Sequence, residues 1–536
     1  MATAELTITG MTCAQCAATL QKVAEALPGV KARVSYPDAT ASIETQGKAD
    51  LADVVAAIRQ SGYGAALTGR SGAGLQVAII GGGSAGFACA IRAVETGAQV
   101  TLIESGTLGG TCVNVGCVPS KILIRAAQLV HDQQRPRFRG VGAQQSILDR
   151  AALVAQQEDQ VAALRQAKYQ DILEATPGIR WRRGAARFAD PHTLLVTDQD
   201  GQEERIRPDR ILLAVGARAA LPDLPGLAGT PYWTSTEALQ TTETPARLIV
   251  VGASAVALEL GQAFARLGSQ VMIVARGRLL ARADADVGAG LQAAFTAEGI
   301  RVLTDTTVRK VSYGPRGFGL ATSHGDIEGD RLLLATGRRP STEALNLSAA
   351  GVKTDARGFI VVNDRLQTNV AHIYAAGDCS TLPQYVYVAA AAGTRAAINM
   401  TGGEAPLDLR VLPAVVFTDP QVATVGLTEE AARAAGRAVV SRTLGLENVP
   451  RAQANFDTRG FIRLVAEAGS GRLLGAQVLA AEGGEIIETA ALAIAGGFTV
   501  TALSEQLFPY LTLVEGLKLC AQTFTQDIKR LSCCAG

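Results

Sequence analysis

The stretch Gln76-Val-Ala-Ile-Ile-Gly-Gly-Gly-Ser-Ala-Gly86 decides the fold of this 536-residue chain. Its apolar first half is typical of a buried strand, and the spaced glycines that follow are typical of a dinucleotide-binding turn. Gly81 permits the tight turn, Gly83 lets backbone approach a pyrophosphate, and Gly86 lets a helix pack on the strand. The next apolar run ends at Glu104, whose carboxylate can hold a ribose hydroxyl. Strand, helix and acid together predict a dinucleotide site.

A degenerate copy of this motif lies near the middle of the chain. Its turn is Gly252-Ala-Ser-Ala-Val-Ala257, in which Ser254 and Ala257 replace the second and third glycines. The spacing to the end of the next strand is kept, but that position holds Ala275 followed by Arg276. Loss of a carboxylate and gain of a guanidinium suit a 2′-phosphate, which predicts NADPH at this second site. The alternative is that Arg276 is a solvated surface arginine.

Two cysteines follow the first nucleotide turn. They stand in Gly109-Gly-Thr-Cys-Val-Asn-Val-Gly-Cys-Val-Pro-Ser-Lys121, with Cys112 and Cys117 at the entry to a helix. Such a pair can alternate between dithiol and disulfide, and it exchanges two electrons when an acceptor lies against one sulfur. The nucleotide turn upstream supplies a place for that acceptor. The sequence therefore predicts a redox-active cysteine pair.

Composition excludes several classes of function. At 536 residues the chain is too long for one core, and abundant glycine with only 4% aromatics favours α/β domains. The net charge of +1 argues against a nucleic-acid partner, and no apolar run reaches the roughly 18 residues that span a bilayer. No secretory signal is evident, and nine cysteines, six of them in three close pairs, suit a reducing compartment. We expect a cytoplasmic protein of three or four domains without membrane insertion.

Residues 1–68 are predicted to form a separate small domain. Strands near residues 6–8, 32–35 and 41–44, with helices near 17–26 and 51–61, fit a ferredoxin-like βαββαβ unit. Its first loop, Gly10-Met-Thr-Cys-Ala-Gln-Cys16, is similar to the GMTCxxC motif of heavy-metal-associated domains. Thiolates at Cys13 and Cys16 suit a soft ion that accepts low coordination, such as Hg(II) or Cu(I). A thioredoxin-like redox role needs a different strand–helix context.

The chain ends in Leu531-Ser-Cys-Cys-Ala-Gly536. Cys533 and Cys534 are adjacent, and a disulfide between neighbouring residues is strained. Two thiols that grip a metal ion are therefore the better interpretation. The alternative is a pair of incidental terminal cysteines.

Over roughly residues 75–525 the chain resembles the flavin-dependent pyridine nucleotide-disulfide oxidoreductase family. Further marks of that family are Leu333-Leu-Ala-Thr-Gly-Arg338 and Ile373-Tyr-Ala-Ala-Gly-Asp378. The resemblance implies FAD and NADPH as cofactors, and a homodimer whose active sites are shared between subunits. It implies one set of residues for FAD and another for NADPH. The FAD set is Gly81, Gly83, Ser84, Ala85, Gly86, Glu104, Gly110, Thr111, Lys121, Gly377 and Asp378; the NADPH set is Gly252, Ser254, Ala257, Arg276 and Gly337.

The resemblance also implies roles at the reacting centre. Lys121 and Glu259 pair near flavin N5, and the Asp378 carboxylate holds the ribityl chain. Cys117 is the thiolate that faces the flavin, and Cys112 is the outer, exchanging thiol. Tyr169 lies beside the disulfide.

One residue of the family pattern is missing. Disulfide-reducing members carry a histidine, with a glutamate five positions later, and that histidine protonates the leaving thiolate. Here the glutamate is present as Glu515, but Tyr510 occupies the histidine position. Reduction of a thiolate-bound metal ion leaves no thiol to protonate, so the loss is harmless for that reaction. Tyr510 therefore disfavours an organic disulfide as the substrate.

These features favour reduction of thiolate-bound Hg(II), which takes two electrons at once as a hydride-fed flavin gives them. The ion is expected to pass from the first cysteine pair (Cys13 and Cys16) to the tail pair (Cys533 and Cys534) and then to the redox pair (Cys112 and Cys117). One rival is a disulfide reductase with an appended metal sensor, which Tyr510 disfavours. The other is a non-enzymatic metal chaperone, which two nucleotide sites disfavour.

The expected fold class is α/β, with two Rossmann-like dinucleotide-binding domains and an α+β dimerisation domain preceded by the small ferredoxin-like domain. Residues 131–160 are polar and Gln-rich, and we interpret them as loop and solvated helix. The expected divisions are 1–68 (heavy-metal-associated domain), 69–75 (flexible linker), 76–244 (FAD-binding domain, first part), 245–338 (NADPH-binding domain), 339–405 (FAD-binding domain, second part), 406–525 (dimerisation domain) and 526–536 (Cys-Cys tail).

Overall fold

The computed structural model describes residues 2–45, 51–68 and 74–527, so Cys533 and Cys534 lie outside the described residues. The described chain forms two compact units. The first is built from Met1–Cys112, Leu164–Arg218 and Arg339–Leu407, and the second from Val113–Ala163, Ala219–Arg338 and Asp408–Gly536. Both units combine sheets with helices, which confirms the α/β class. Among the described helices, none combines the length and the apolar character that crossing a bilayer requires.

The small N-terminal domain is a four-stranded antiparallel sheet with two helices. The strands are Ala2–Thr9, Val30–Ser35, Thr40–Thr45 and Gly64–Thr68, and the helices are Ala14–Glu25 and Leu51–Gln60. The predicted βαββαβ order is confirmed. The predicted helix start near residue 17 is wrong, because Cys13 has extended backbone and acts as the N-cap, so that Cys16 already lies in the first turn.

The first unit also holds a five-stranded parallel sheet, in which Gln76–Ile80 is the central strand. Parallel strands are covered on both faces, which explains why this strand is apolar nearly throughout. The sheet strands are, in spatial order, Ile373–Ala375, Arg210–Leu213, Gln76–Ile80, Gln99–Glu104 and Ile179–Arg183. A three-stranded antiparallel sheet adds Ala185–Asp190, Thr193–Thr197 and Glu203–Ile206. The helices are Ser84–Glu95, Gly110–Val115, Asp171–Ala175 and Val386–Met400, with a π-turn at Gln166–Gln170 and 3-10 turns at Glu343–Leu345 and Leu347–Ala350.

The second unit repeats the parallel design. Its four parallel strands are, in spatial order, Arg301–Leu303, Gln270–Val274, Arg247–Val251 and Arg331–Leu334. An antiparallel sheet of Val308–Gly314, Gly317–Thr322 and Gly325–Gly329 packs on it. The helices are Cys117–Gln134, Arg150–Arg165, Ser235–Gln240, Ala255–Arg266 and Ala285–Ala297. Two short strands, Ala217–Ala219 and Arg338–Pro340, lie where the chain passes between the units.

The last part of the second unit is an α+β layer. Its antiparallel strands are, in spatial order, Ala414–Val416, Gln421–Gly426, Leu473–Ala480, Phe461–Glu467 and Val439–Gly445. Strand Leu473–Ala480 is buried along its whole length, as expected for the middle of a covered sheet. The helices are Glu429–Ala434, Pro450–Ala454, Gly483–Ala495, Val500–Ser504 and Glu515–Gln522, with a 3-10 turn at Leu446–Asn448.

The polar stretch 131–160 is only partly solvated. Its second half is helix Arg150–Arg165, in which Arg150 and Gln157 are buried. Both side chains donate hydrogen bonds to the carbonyl of Leu239, at 3.4 and 3.0 Å. The prediction of a solvated helix therefore holds for most of this segment but not for Arg150 and Gln157, which hydrogen-bond to a carbonyl in the core.

A buried ion cluster lies inside the second unit. The guanidinium of Arg266 is within 2.6 Å of the Glu298 carboxylate and 2.8 Å of the Asp419 carboxylate. Arg459 pairs with Asp419 at 2.9 Å and also with Asp457. The Arg266 side chain is only 4% exposed, and its pKa is raised by the carboxylates in spite of burial. Because each charge has a partner, the cluster can be buried at all.

We expect Arg266→Met to destabilise the folded protein by about 3 kcal/mol. Methionine fills the space but leaves two buried carboxylates short of a cation. Urea unfolding, followed by circular dichroism, measures the loss. Arg92→Met is the matched control, because it removes an exposed pair with Glu95 at 2.8 Å and should change stability by less than about 1 kcal/mol. Equal losses in the two variants would contradict the importance of burial.

Candidate active site

The first glycine turn has little room for side chains. Gly81 adopts φ +111°, a conformation that L side chains rarely adopt. A Cβ at Gly86 would lie 1.9 Å from the carbonyl oxygen of Gly81, so only glycine lets the helix start this close to the strand. Backbone N–H groups at the beginning of helix Ser84–Glu95 can therefore approach a phosphate group directly.

Glu104 fastens the neighbouring loop to this turn. Its Oε2 accepts a hydrogen bond from the Gly82 N–H at 2.7 Å, and its Oε1 accepts one from the Gly106 N–H at 2.6 Å. A Cβ at Gly110 would lie 2.8 Å from the Cα of Gly83. Turn and loop thus form a backbone cradle that side chains would fill, which fits the pyrophosphate of a dinucleotide.

Other residues expected at the flavin lie around the same helix start. Ala85 is buried, and Gly377 comes so close that a Cβ there would lie 3.3 Å from the Cβ of Ala85. Gly377 has φ +76°, and this turn carries Asp378 after strand Ile373–Ala375. Ser84 hydrogen-bonds to Tyr169.

Tyr169 lies near Cys112 within the first unit. Tyr169 is in the π-turn Gln166–Gln170, and its ring packs edge-on against Phe87 at 4.7 Å between centroids. Burial raises the pKa of Tyr169, and negative charge on Cys112 raises it further. The hydroxyl therefore keeps its proton and can donate a hydrogen bond to a thiolate.

The two redox cysteines occupy successive helices. Cys112 is half-buried in helix Gly110–Val115, just after the exposed Thr111. Cys117 is exposed and is the first residue of helix Cys117–Gln134, which we call the cysteine helix. A helix N-terminus favours a negatively charged sulfur at Cys117.

Lys121, one turn further along the cysteine helix, meets Glu259 of helix Ala255–Arg266. Lys121 Nζ lies 2.7 Å from Glu259 Oε2, and the Glu259 side chain is only 7% exposed. The other carboxylate oxygen, Oε1, accepts a hydrogen bond from the Phe417 N–H at 2.9 Å. The structure thus brings together the two residues that the sequence analysis paired.

The second nucleotide turn differs from the first as its sequence predicts. Gly252 has φ +148°, and a Cβ there would lie 2.3 Å from the Ala335 carbonyl oxygen. Ser254 is the N-cap of helix Ala255–Arg266, and Ala257 is fully buried against the sheet. After strand Gln270–Val274, Ala275 is buried and Arg276 is exposed. Gly337, with φ +129°, follows strand Arg331–Leu334.

Tyr510 lies in the turn that precedes the last described helix, and Glu515 is the first residue of that helix. Tyr510 is exposed, whereas Glu515 is buried as the first residue of helix Glu515–Gln522. Among the residues that the structure describes, Glu515 Oε2 has no hydrogen-bond partner, and burial raises the pKa of this carboxyl.

The metal loop of the small domain presents two thiols together. Cys13 Sγ and Cys16 Sγ are 3.5 Å apart, with Cys13 exposed and Cys16 half-buried. Hydrogen bonds from the hydroxyl of Tyr63, and then from Thr12, lower the pKa of Cys16 to about 6. Cys16 is therefore a thiolate at neutral pH, ready for a soft metal ion. In the described parts of the chain, no group of three or more His, Cys, Asp and Glu side chains could hold a metal ion.

We expect Tyr63→Phe to raise the pKa of Cys16 from about 6 towards the ordinary thiol value, because the largest stabilising hydrogen bond is lost. The folded-state pKa is depressed, so the wild-type loop stays anionic down to about pH 6 and the variant loses its thiolate at a higher pH. The pH dependence of iodoacetamide alkylation at Cys16, read by peptide mass spectrometry, measures the shift. Tyr36→Phe, an exposed tyrosine of the same domain, is the control. An unchanged profile in Tyr63→Phe would sink the assignment.

Sequence reasoning missed two residues of these sites. Tyr63 touches Cys16, and the ring of Phe417 lies beneath the Lys121 ammonium at 4.4 Å. Neither residue belongs to a motif considered above. Only the packing of segments distant along the chain reveals them.

Comparisons with known proteins agree with this architecture. A model of the pyridine nucleotide-disulphide oxidoreductase family matches residues 75–393, and a model of its dimerisation domain matches residues 412–521. A heavy-metal-associated domain model matches residues 5–64. The chain therefore carries the family's dimerisation domain and an added metal-binding domain.

Related proteins match along nearly the whole chain. A mercuric reductase from Acidithiobacillus ferrooxidans is 56% identical over 99% of both chains. Another from Shewanella putrefaciens is 53% identical over 99% of this chain and 100% of its own. Among solved structures, the HOCl-induced flavoprotein disulfide reductase RclA from Escherichia coli is 29% identical, with a TM-score of 0.75 over 83% of this chain and 99% of that one. LpdA from Mycobacterium tuberculosis is 27% identical, with a TM-score of 0.77 over 84% of this chain and 100% of its own.

These matches confirm the resemblance that the glycine turns and the cysteine pair indicated. The family model alone spans residues 75–393, which is more than half of the chain. The chain belongs to the pyridine nucleotide-disulphide oxidoreductase family.

Proposed function

We propose that this protein reduces thiolate-bound Hg(II) to elemental mercury at the expense of NADPH, and so detoxifies mercury. The observation that carries the proposal is the full-length match, at 56% identity over 99% of both chains, to a protein named mercuric reductase. The metal loop and Tyr510 support it independently. A dithiol loop suits a soft ion, and the family's acid–base histidine is absent.

The residues present fit the family's two cofactors. The backbone cradle at Gly81–Gly86 with Glu104 suits FAD, and Gly252 with the exposed Arg276 suits NADPH and its 2′-phosphate. When bound, FAD would supply the two-electron chemistry that couples hydride transfer from NADPH to the conversion of Hg(II) to Hg(0). Lys121 would place a positive charge at the flavin, and Glu259 would hold that ammonium in place.

The cysteine pair would hold the metal ion for reduction. Thiolates of Cys112 and Cys117 bind Hg(II) as a two-coordinate complex, and both sulfurs remain thiolates once the ion leaves as the neutral metal. No proton has to be supplied to a leaving thiol, so Tyr510 in place of histidine does no harm. The Tyr169 hydroxyl, which keeps its proton, could donate a hydrogen bond to Cys112.

The other cysteine pairs would deliver the ion. Cys13 and Cys16 capture Hg(II) from cellular thiols, and Cys533 and Cys534 carry it to the redox pair. Direct exchange between thiolates avoids release of free Hg(II), because an entering thiolate binds before the leaving one departs. A tethered donor also raises the effective concentration of Hg(II) at the reduction site. We further propose that each active site is shared between the subunits of a homodimer in the cytoplasm.

A disulfide reductase with an appended metal sensor is the alternative, since the structural neighbour RclA is a disulfide reductase. NADPH oxidation by the purified enzyme, in excess thiol, separates the two functions. We expect rapid oxidation with Hg(II) and none above background with oxidised glutathione. Rapid turnover with glutathione disulfide and none with Hg(II) would overturn the proposal.

A further inference from the structure

Phe417 contacts both members of the Lys121–Glu259 pair. The Lys121 ammonium lies 4.4 Å from the centre of the Phe417 ring, within the range of a cation–π contact. The backbone N–H of the same residue donates to Glu259 Oε1 at 2.9 Å. One residue thus contacts both members of the ion pair, the cation through its ring and the anion through its backbone.

The backbone around Phe417 is fixed to the helix that carries Glu259. Gln262 accepts a hydrogen bond from the Asp419 N–H at 2.7 Å and donates one to the Asp419 carbonyl at 2.8 Å. Arg266 binds the Asp419 carboxylate at 2.8 Å. Glu259, Gln262 and Arg266 are three and four residues apart, so they share one helix face. They form a ladder that leaves Phe417 little freedom to shift.

The ring matters because the Lys121 chain has another direction open to it. Lys121, Glu259 and Phe417 all line a cavity of about 390 Å³. Without the ring, the flexible lysine chain could turn its ammonium away from Glu259 into that cavity. The Phe417 ring instead offers a negative face that favours a nearby cation.

We propose that Phe417 is a positioning residue for the redox reaction, which holds the Lys121 ammonium on Glu259 and so sets how readily NADPH reduces the bound flavin. The inference rests on the proposed function, because it takes Lys121 to stand near the flavin. Residues 417–419 lie in the segment that matches the dimerisation domain. Through the ladder, this segment would influence the reduction of the bound flavin.

Fluorinated phenylalanines at position 417 test the ring directly, because they keep its shape and weaken its negative face. We expect the rate constant of flavin reduction by NADPH to fall stepwise from mono- to di- to trifluorophenylalanine, by about tenfold in all. The midpoint potential of the bound flavin should fall in the same order. Both are measured without Hg(II), so a failure here is distinct from a failure of the proposed substrate.

Natural substitutions complete the test. Phe417→Leu should slow flavin reduction about as much as trifluorophenylalanine, and Phe417→Tyr should restore the rate and the potential. Phe461→Leu is the matched control, since it removes another ring–cation contact, 5.4 Å from Arg463, elsewhere in the same unit. It should change neither quantity. A rate and a potential that stay constant across the fluorinated series would overturn the proposal, even if Phe417→Leu fails to fold.

Discussion

Replacement of Cys112 or Cys117 by alanine is expected to lower Hg(II) reduction by about three orders of magnitude or more, while FAD stays bound. The cradle at Gly81–Gly86 and the bonds made by Glu104 do not involve either sulfur, so the cofactor site should survive. A single remaining thiolate cannot form the two-coordinate complex from which Hg(0) leaves. Steady-state NADPH oxidation with Hg(II) measures the loss, and flavin absorbance after gel filtration measures retention.

The two variants should differ in their spectra. A long-wavelength thiolate-to-flavin charge-transfer band should persist in Cys112→Ala and vanish in Cys117→Ala, because only Cys117 is expected to face the flavin. Cys520→Ala is a suitable control, since that buried thiol hydrogen-bonds to the Ile462 carbonyl and belongs to none of the three cysteine pairs. It should keep both activity and spectrum. The opposite spectral pattern would reverse the roles assigned to the two cysteines.

The nucleotide sites could be predicted from sequence because their chemistry depends on backbone. Gly81 and Gly86 stand where a Cβ would collide with main-chain atoms, and such a constraint leaves a glycine spacing that is visible without a structure. The contrast between Glu104 and Ala275 could be read in the same way, from one position at a strand end. Local rules of this kind fix both residue type and spacing.

Contacts between distant segments could not be predicted. Phe417 reaches Glu259 across 158 positions, and no periodicity links them. Tyr63 is likewise a lone aromatic in a loop, and only the folded small domain places its hydroxyl on Cys16. The burial of Arg150 could not be predicted either. Its helix has a polar sequence that is typical of a solvated helix, and only the structure shows the buried carbonyl to which Arg150 donates. These roles depend on tertiary packing, which the spacing of residues along the sequence does not reveal.

Transfer of Hg(II) from Cys533 and Cys534 is expected to take place between the two subunits of the dimer. Glu515 and Tyr510 belong to the segment that matches the family's dimerisation domain, and under the proposed sharing of active sites this segment would lie at the partner's redox cysteines. Cys533 and Cys534 follow the same segment along the chain, so we expect them to hand Hg(II) to the Cys112 and Cys117 pair of the other subunit. Delivery in trans makes a prediction that delivery within one subunit does not.

Consider a mixed dimer in which one subunit carries Cys112→Ala and Cys117→Ala, and its partner carries Cys533→Ala and Cys534→Ala. If delivery is in trans, the intact redox pair receives Hg(II) from the intact tail of the other subunit, and one of the two sites works. If delivery stays within a subunit, every site lacks one of its cysteine pairs. Differently tagged subunits, purified in tandem and assayed with Hg(II) bound to a protein thiol, should therefore show about half the activity of the unmodified dimer. Each parental homodimer should be nearly inactive in the same assay, and a mixed dimer as inactive as they are would exclude transfer between subunits.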